Sequence, residues 1–440
     1  HLRSNDFRPD RHHRTGDQHL RWIKHLIMPR LITAWVCFLM LAACSPKIMI
    51  HRATTDDIIL LPRAEAENKI STCYEPLSYV AHPELLRLKY VRVNIHFMNS
   101  SDGRYNMPEE ETTNYAQEWI KVTNSNLERN MQMFLPRGNT TPVLDIPYRY
   151  VISPDPTVPG DDGVYYHIDD ELCYAVKTGR DRNISDKRVI EKYAVRDDSV
   201  MNIFLQTHHL DSIPSPTYRP DASGISLGSS VKIFGNWHKR PNVWDIRGIT
   251  NHEIGHSLGL SHTWGGHDGC DDTPAHPNCW NVTNKPPCDS LYSNNMMDYN
   301  AHMAALTPCQ IGKIVMNMTR LGAIQRNILE PRWCVLDTSA TITISDSIRW
   351  EGSADLEGNI VIRDGGILEI GCRVSMPEGS NIKIFPGGKL VILSTGKIHN
   401  SCNSQWEGIE FVEERKMKGR LYIMEGGKIE NTLHPLGTQL

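Results

Sequence analysis

The sequence predicts a protein of two folded parts, an α/β (α+β) domain with a mixed sheet followed by an all-β domain. Three observations carry this prediction. Strand and helix patterns alternate over residues 88–336, whereas short β-rich runs punctuated by glycine fill residues 337–440. The length of 440 residues also exceeds what one hydrophobic core usually supports.

The N-terminal residues carry targeting signals. Residues 1–27 are polar and rich in His and Arg, and we interpret them as upstream non-native or disordered sequence, with Met28 as the start. Residues 28–44 have an apolar run after a basic residue and resemble a signal peptide with a bacterial lipobox ending at Cys44. We therefore expect an exported, membrane-anchored lipoprotein or extracellular protein of the bacterial cell envelope, with Cys44 lipidated. A cleaved ordinary signal peptide is the alternative.

Residues 45–87 show no clear period and are predicted to form a leader or a short pro-segment. Within this segment, we expect Cys73 to be structural or unpaired, and the alternative is a thiolate that blocks the zinc in a latent form. The whole chain has 47 basic and 51 acidic residues, a net charge of -4. This balance gives no electrostatic argument for nucleic acid as a partner.

The order of elements after residue 88 favours helices packed on a sheet. Alternating apolar residues from Val91 to Phe97 predict a half-buried strand, and residues 111–131 predict a helix with one apolar side. Residues 200–205 and 225–234 predict two further strands. A helix is predicted to begin near Trp244.

This last helix carries the residues that point to a chemistry. His252 and His256 are four positions apart, so they lie on one face of a helix and can share one metal ion, with Glu253 beside them. Gly259 predicts a turn that ends the helix and returns His262 to the same ion. Three imidazoles and a water complete a tetrahedral zinc site with an open position. The motif predicts peptide hydrolysis by a zinc-activated water, with Glu253 as the general base.

The extended motif resembles the metzincin zinc metalloproteases, in which a turn with a methionine follows the third histidine. The segment Asn295 to Tyr299 looks like the Met-turn of the pappalysin family. By this resemblance, Met297 forms the apolar floor below the zinc, and the Tyr299 hydroxyl helps to stabilise the tetrahedral intermediate. The resemblance covers about Leu88 to Trp333. It implies a metzincin-like catalytic domain and an endopeptidase that acts on protein or peptide substrates.

The segment between the two motifs extends the resemblance. His262 to Gly266 and Cys270 to Pro274 look like the pappalysin continuation, in which a loop with Asp-Thr-Pro binds calcium. Asp272 and Thr273 match that pattern, and Asp271 offers a further oxygen ligand. The loop is shorter than in the family, so an ordinary acidic turn is the alternative.

Four cysteines lie around these loops and have no Cys-x-x-Cys spacing that would suggest a second zinc. They are Cys270, Cys279, Cys288 and Cys309. Disulfides are the better interpretation, and they require an oxidising compartment. Four cysteines permit three pairings. The resemblance to pappalysins implies Cys270 with Cys288 and Cys279 with Cys309.

The C-terminal domain contains repeated glycine pairs, each followed by a short β run. The pairs are Gly365-Gly366, Gly387-Gly388 and Gly426-Gly427. The first two are about one coil of a β-solenoid apart, which predicts a parallel β-helix, with an antiparallel β-sandwich as the alternative. The repeat continues almost to Leu440 without a capping segment, so we expect the chain to be a truncated form of a longer protein.

The sequence is compatible with three functions. The leading hypothesis is an exported zinc endopeptidase whose C-terminal domain presents it to a surface polymer or glycan. The alternative is a surface adhesin or glycan-binding protein with a protease-like scaffold. The third is metal capture by the same histidines, which would bind zinc without a need for Glu253.

Overall fold

The structure is a computed structural model. It describes residues 48–62, 72–177, 179–217, 223–265, 268–279, 285–300 and 302–436. The predicted signal peptide and the predicted lipidation site Cys44 lie outside these residues. Within them, no helix combines the length and the apolar character needed to span a bilayer.

The described chain begins with two short strands, β1 (Ile48–Arg52) and β2 (Ile58–Leu61). A mixed sheet follows, and among the described residues its strands are β3 (Lys89–Asn99), β4 (Tyr148–Ile152), β5 (Val164–Ile168), β6 (Tyr174–Ala175), β7 (Met201–His208), β8 (Ser223–Leu227) and β9 (Ser230–Phe234). The strand order is β4-β3-β7-β9-β8, while β5 also pairs with β3 and β6 with β7. The edge strand β8 runs antiparallel to β9, and the other pairs are parallel.

Helices cover both faces of this sheet. They are α1 (Glu109–Leu127), α2 (Arg188–Tyr193), α3 (Val243–Ser257), α4 (Pro308–Thr319) and α5 (Ile324–Asn327). On one face, Trp119 of α1 and Ile254 of α3 belong to the main hydrophobic core. On the other face, Val189 of α2 packs with Met98 and Phe204 from the central strands. Burial on both faces is what a mostly parallel sheet requires.

The central strand β3 is almost entirely buried, so the predicted half-buried strand is wrong in its burial. His96 has no exposed surface, and its Nε2 lies 2.8 Å from Oδ1 of Asn202 on β7. Strands lie on both sides of β3 and helices lie on both faces. The alternation of apolar and polar residues therefore separates two buried faces, one of which accommodates paired polar groups.

Two further predicted elements differ in their bounds. The strand predicted at residues 225–234 is a hairpin of β8 and β9, which turns at Gly228 with a φ of +81°. This φ is accessible to glycine at little cost, so the turn interrupts what looked like one apolar run. The helix predicted at residues 111–131 is α1, which ends at Leu127.

The C-terminal part consists of short strands. They are β10 (Ile342–Ile344), β11 (Ser347–Trp350), β12 (Ala354–Asp355), β13 (Ile360–Ile362), β14 (Ile367–Ile370), β15 (Arg373–Ser375), β16 (Asn381–Ile384), β17 (Lys389–Ile392), β18 (Lys397–His399), β19 (Gly408–Glu414), β20 (Arg420–Met424) and β21 (Lys428–Ile429). Each strand from β13 onward pairs in parallel with the strand three positions earlier, which produces three sheets. The inward residues Ile360, Ile382 and Ile409 stack in register. This is the pairing expected of stacked coils and not that of an antiparallel sandwich.

The repeated glycine pairs lie at the turns between these sheets. Gly387 has a φ of +81°, and the next residue, Gly388, lies against the preceding coil. A β-carbon at Gly388 would lie 2.9 Å from the carbonyl oxygen of Arg363. The first glycine therefore makes the turn, and the second allows the coils to approach.

The segment predicted to be a leader or pro-segment contacts this C-terminal part. Strand β2 pairs in parallel with β20, with Ile58 opposite Leu421, and extends that sheet by one strand. Cys73 forms a disulfide with Cys372, so it does not offer a thiolate to a metal. The carbonyl oxygen of Pro76 lies so close to α4 that a β-carbon at Gly312 would be 2.1 Å from it.

The sheet domain and the C-terminal part share one compact unit, which comprises residues 50–413 and 417–440. Cys334 and Cys402 join them covalently. Asp355 is buried between Arg326 and Arg373, at 3.1 Å and 2.7 Å from their guanidinium nitrogens. Because a buried carboxylate is costly without partners, the pair of Arg326 with Asp355 ties the sheet domain to the C-terminal part.

Candidate metal centre

Helix α3 positions the first part of the site. Its N-cap is Asn242, whose side-chain oxygen accepts a hydrogen bond from the Trp244 backbone N–H. Two buried hydrogen bonds then set the rotation of the helix about its axis. The Trp119 Nε1 donates to Thr250 at 3.1 Å, and the Tyr150 hydroxyl donates to Asn251 at 2.9 Å. The next two residues of the helix, His252 and Glu253, consequently project away from these anchors.

Three histidines converge on one point. The Nε2 atoms of His252, His256 and His262 are each 3.1 Å from the other two. A tetrahedral zinc ion bound at roughly 2.0–2.1 Å from each nitrogen would place these nitrogens about 3.3 Å apart. The three residues therefore fit zinc closely in both donor type and spacing, and they are a group capable of holding a metal ion.

The ring nitrogens that face away from this point have carbonyl partners. Nδ1 of His252 donates to the Met296 carbonyl at 2.8 Å, and Nδ1 of His256 donates to the Leu260 carbonyl at 2.9 Å. A carbonyl only accepts, so each Nδ1 carries the proton and the neutral ring presents a lone pair at Nε2. Burial lowers the pKa of His252 to about 3 and that of His262 to about 4. The rings are thus neutral at pH 7, which is the form that binds metals.

The turn predicted at Gly259 is present. This residue has a φ of +99° just beyond the end of α3. The Leu260 N–H then bonds the Gly255 carbonyl at 3.0 Å, which closes the helix end. In addition, Nδ2 of Asn317 donates to the Leu258 carbonyl at 3.0 Å, so α4 also supports this end. The turn brings His262 back to the two helical histidines.

Glu253 lies beside the three rings in a nearly dry position. Its side chain is packed against the edge strand, since a β-carbon at Gly224 would lie 2.5 Å from Glu253 Cγ. Only 6% of the residue is exposed. Burial raises the pKa of Glu253 to about 7, although a hydrogen bond from the Ser226 backbone opposes the shift. A carboxyl with such a pKa can both accept and release a proton near neutral pH.

The predicted Met-turn lies below the histidines. Met297 is fully buried, and its backbone N–H bonds Oδ1 of Asn295 at 2.8 Å. The Asn295 amide in turn donates to Gln310 of α4 at 2.8 Å. The Sδ atom of Met297 lies directly under α3 at Gly255. This side chain therefore closes the apolar side of the site.

Tyr299 lies at the open side of the site. Its ring centroid is 4.8 Å from that of His262 and 5.6 Å from that of Trp264. It is 39% exposed, which is enough for a bound peptide to reach it. Burial raises the pKa of Tyr299, and the charge of Glu253 contributes, so its hydroxyl remains a donor at neutral pH.

One buried pair was not predicted from the sequence. Nε2 of His276 lies 2.8 Å from Oδ2 of Asp298, and their side chains are 9% and 2% exposed. Asp298 stands between Met297 and Tyr299. No spacing pattern marks His276, because it meets Asp298 only through the packing of two loops. The available signal was the acidic residue inside the Met-turn, which had to find a partner if it was buried.

The predicted calcium ligands differ in their exposure and in their partners. Asp271 is exposed, whereas Thr273 is buried and donates its hydroxyl to Asp268 at 2.7 Å. Asp272 accepts from the Cys309 N–H at 3.0 Å, and its other oxygen, Oδ1, is buried without a hydrogen-bond partner among the described residues. An orphaned carboxylate oxygen beside a second carboxylate suits a hard cation.

The disulfide pairing implied by the family resemblance is wrong. The structure pairs Cys270 with Cys309 and Cys279 with Cys288. The N-terminus of α4 docks on the loop at residues 268–273, which brings the Cα atoms of Cys270 and Cys309 to 5.7 Å. Cys279 and Cys288 are only nine residues apart and close a local loop. Sequence separation alone cannot select between such pairings.

The site lies within a longer segment of the chain that is similar to a known protein family. Residues 184–319 match the family model Peptidase_M43, described as pregnancy-associated plasma protein-A. This range contains all three histidines, Glu253, Met297 and Tyr299. No curated protein matches the chain.

Solved structures of mirolysin are similar over about half of the chain. The mature mirolysin of Tannerella forsythia in complex with a cleaved peptide is 18% identical, with a TM-score of 0.38, and the match covers 55% of this chain and 95% of that chain. A promirolysin mutant from Tannerella forsythia is 16% identical, with the same TM-score, over 55% of this chain and 84% of that chain. Mirolysin in complex with a compound is also 16% identical, with a TM-score of 0.38, and the shares are 55% and 96%.

Proposed function

We propose that this chain is a metalloendopeptidase of the pappalysin family, which residues 184–319 match. In this proposal it cleaves peptide bonds with Glu253 as its general base. The observation that carries this proposal is the convergence of three Nε2 atoms at 3.1 Å beside a buried carboxyl. His252, His256 and His262 would hold a zinc ion, which would supply Lewis acidity to lower the pKa of a water to about 7 and to polarise a carbonyl.

Glu253 moves the proton in this scheme. Its carboxylate accepts a proton from the water that attacks the scissile carbonyl carbon. The protonated carboxyl then releases the same proton to the nitrogen of the leaving amine. A pKa of about 7 suits both steps, because neither form is strongly favoured at neutral pH.

Tyr299 supplies a neutral donor at the open side of the site. As the peptide carbonyl becomes tetrahedral, its oxygen gains negative charge, and a hydroxyl that donates to this oxygen stabilises the transition state more than the substrate. Met297 contributes no proton. It keeps the underside of the three rings apolar and free of water.

The edge strand β8 is the natural site for an extended substrate. It ends the sheet order, and its Gly224 lies against Glu253. A peptide that pairs with this edge places its backbone beside the carboxyl without a demand on its side chains. We therefore propose protein or peptide substrates bound in extended form.

The test is to compare wild type with Glu253→Gln. The variant should retain one zinc per chain, because Glu253 is not among the three converging ligands, while kcat falls by about 10²–10⁴. Zinc content and cleavage of a denatured protein are measured on the same samples. Full turnover by a zinc-loaded Glu253→Gln protein would remove Glu253 as the base. Zinc binding with no turnover by wild type would favour metal capture.

A calcium ion at residues 268–273 is a second part of the proposal. The orphaned Oδ1 of Asp272 and the nearby carboxylate of Asp268 support it. Millimolar calcium should raise the Tm of wild type and leave that of Asp272→Asn unchanged. Equal Tm shifts in both proteins would indicate that residues 268–273 form an ordinary acidic turn and do not bind calcium.

The location and further partners are also proposals. We propose export to the bacterial cell envelope with a lipid on Cys44, supported by the four disulfides of the described chain, which require an oxidising compartment. Cys44→Ser should release the protein from the membrane fraction. We further propose that the C-terminal strands present the enzyme to a surface polymer or glycan. Sedimentation of the whole Glu253→Gln protein with insoluble glycans tests this, and it also tests the adhesin alternative.

A further inference from the structure

The loop after His262 and the Met-turn are joined by one buried contact. His276 lies in this loop, and its Nε2 is 2.8 Å from Oδ2 of Asp298 in the Met-turn. The backbone carbonyl of His276 also accepts from the Gly265 N–H at 3.2 Å. His276 therefore connects the chain just after His262 with the chain just before Tyr299.

The partners of His276 determine its protonation. Its Nδ1 lies 2.9 Å from the Pro277 carbonyl, which can only accept, and its Nε2 faces a carboxylate, which also accepts. Acceptors at both ring nitrogens favour the imidazolium form of His276. The hydrogen bond to Asp298 raises the pKa of His276 accordingly. The result is a buried contact of 2.8 Å between an imidazole and a carboxylate, which is stronger when the ring is charged.

Asp298 lies between two residues of the metal centre. Asp298 is flanked by Met297, which lies under the histidines, and by Tyr299, whose ring is 4.8 Å from that of His262. The turn has further described supports: Oδ1 of Asn295 accepts from the Met297 N–H at 2.8 Å, and Nδ2 of Asn300 donates to the Asn295 carbonyl at 2.9 Å. Without His276, the Asp298 side chain would lose the buried contact that joins it to the loop after His262.

We infer that His276 is a positioning residue for peptide hydrolysis, because its bond to Asp298 holds Tyr299 over the metal centre. This inference rests on the proposed function. His276 touches neither substrate nor metal in this scheme. Its effect on the reaction passes through the Tyr299 hydroxyl, so the two residues must be energetically coupled.

A double-mutant cycle on the full chain measures this coupling. The variants are His276→Gln, Tyr299→Phe and the double variant. Glutamine places an N–H near the position of the histidine Nε2 but is neutral and more flexible. We expect His276→Gln to lower kcat by about 10-fold with KM changed by less than about 3-fold, and to lower it by less than about 2-fold when Tyr299 is already Phe. His276→Ala should lower kcat further.

Two additional readouts separate positioning from general destabilisation. Zinc content should equal that of wild type in all variants, as measured after gel filtration. Arg326→Gln removes a different buried ion pair, with Asp355 at the domain contact, and should lower Tm while kcat is maintained. If His276→Ala does not fold, the cycle with His276→Gln still measures the coupling between His276 and Tyr299.

The outcomes are distinct. Independent, multiplicative effects of His276→Gln and Tyr299→Phe would overturn the inference, as would an unchanged kcat in His276→Gln and His276→Ala. If zinc-loaded wild type does not hydrolyse peptides at all, the proposed function fails instead. In that case the failure is seen in wild type before any His276 variant is compared.

Discussion

Gly255 and Met297 touch across the floor of the metal centre. A β-carbon at position 255 would lie 2.5 Å from Met297 Sδ, closer than real β-carbons approach other atoms. Both residues are buried, so neither has free space in which to move. The methionine can lie directly below the helix that carries two of the histidines only because residue 255 lacks a side chain.

Gly255→Ala should therefore displace Met297 and disturb the histidines above it. We expect the free energy of unfolding to fall by about 1–3 kcal/mol, because an added methyl group in a packed core forces its neighbours to shift. Zinc affinity should fall as well. Urea unfolding and competition with a chelator measure the two effects.

Gly248→Ala is the matched control on the same helix. Its β-carbon would lie 3.4 Å from the nearest side-chain atom, in Met303, which a small shift accommodates. Alanine is the better helix former, so this variant should be unchanged or more stable by up to about 1 kcal/mol. Equal behaviour of the two alanine variants would contradict the packing argument.

Removal of zinc should lower the stability of the protein. The three Nε2 atoms lie 3.1 Å from one another, an arrangement that a shared cation favours. At a free zinc concentration a thousand times Kd, binding adds about 4 kcal/mol to the free energy of unfolding. Thermal unfolding with zinc and with a chelator measures this difference. It should shrink strongly in His262→Ala, and an identical Tm in both solutions for wild type would exclude a preformed site.

The disulfide between Cys73 and Cys372 should stabilise the contact between the N-terminal segment and the C-terminal strands. The double variant Cys73→Ser/Cys372→Ser removes both sulfur atoms of this bond. We expect about 2–4 kcal/mol lower stability, since the bond closes a long loop. Peptide cleavage at 25 °C should persist, because neither cysteine is near the metal centre. Loss of cleavage with an unchanged Tm would show that this segment reaches the catalytic site in another way.

The sequence was most informative where spacing determines geometry. His252 and His256 share a face because of the helical period, and Gly259 was predicted to turn because a third ligand could not otherwise return to the ion. The structure brings these residues together with His262, Glu253, Met297 and Tyr299. Residues 184–319, which contain these motifs, match the family model Peptidase_M43.

The sequence was least informative where distant segments meet. The pairing of Cys270 with Cys309 depends on how α4 docks, and the bond of His276 to Asp298 depends on two loops that share no pattern. The pairing of β2 with β20 joins segments more than 350 residues apart, with Ile58 opposite Leu421. Local periodicity records which face of an element is apolar, but it does not record which partner covers that face.

The final prediction concerns Glu253, whose raised pKa suits proton transfer but lowers the stability of the folded protein. Burial raises its pKa from the ordinary value of 4.5 to about 7 in the folded protein. Below pH 4.5 the carboxyl is protonated in the folded and unfolded states alike, so folding buries no charge and the free energy of unfolding carries no penalty from Glu253. As the pH rises from 4.5 to 7, the unfolded state ionises first, and the folded state becomes progressively less stable relative to it. Above pH 7 the penalty is about 3 kcal/mol, from about 1.36 kcal/mol per unit of pKa.

In metal-free protein, Glu253→Gln should therefore be more stable than wild type by up to about 3 kcal/mol at pH 8, and the advantage should disappear near pH 4.5. Urea unfolding with a chelator present, at several pH values, measures the difference. Glutamine has nearly the same shape as glutamate, so packing is matched between the two proteins. A difference that is constant with pH would mean that Glu253 does not titrate as its burial implies, and the carboxyl would then be a weaker proton acceptor at neutral pH than the proposed mechanism requires.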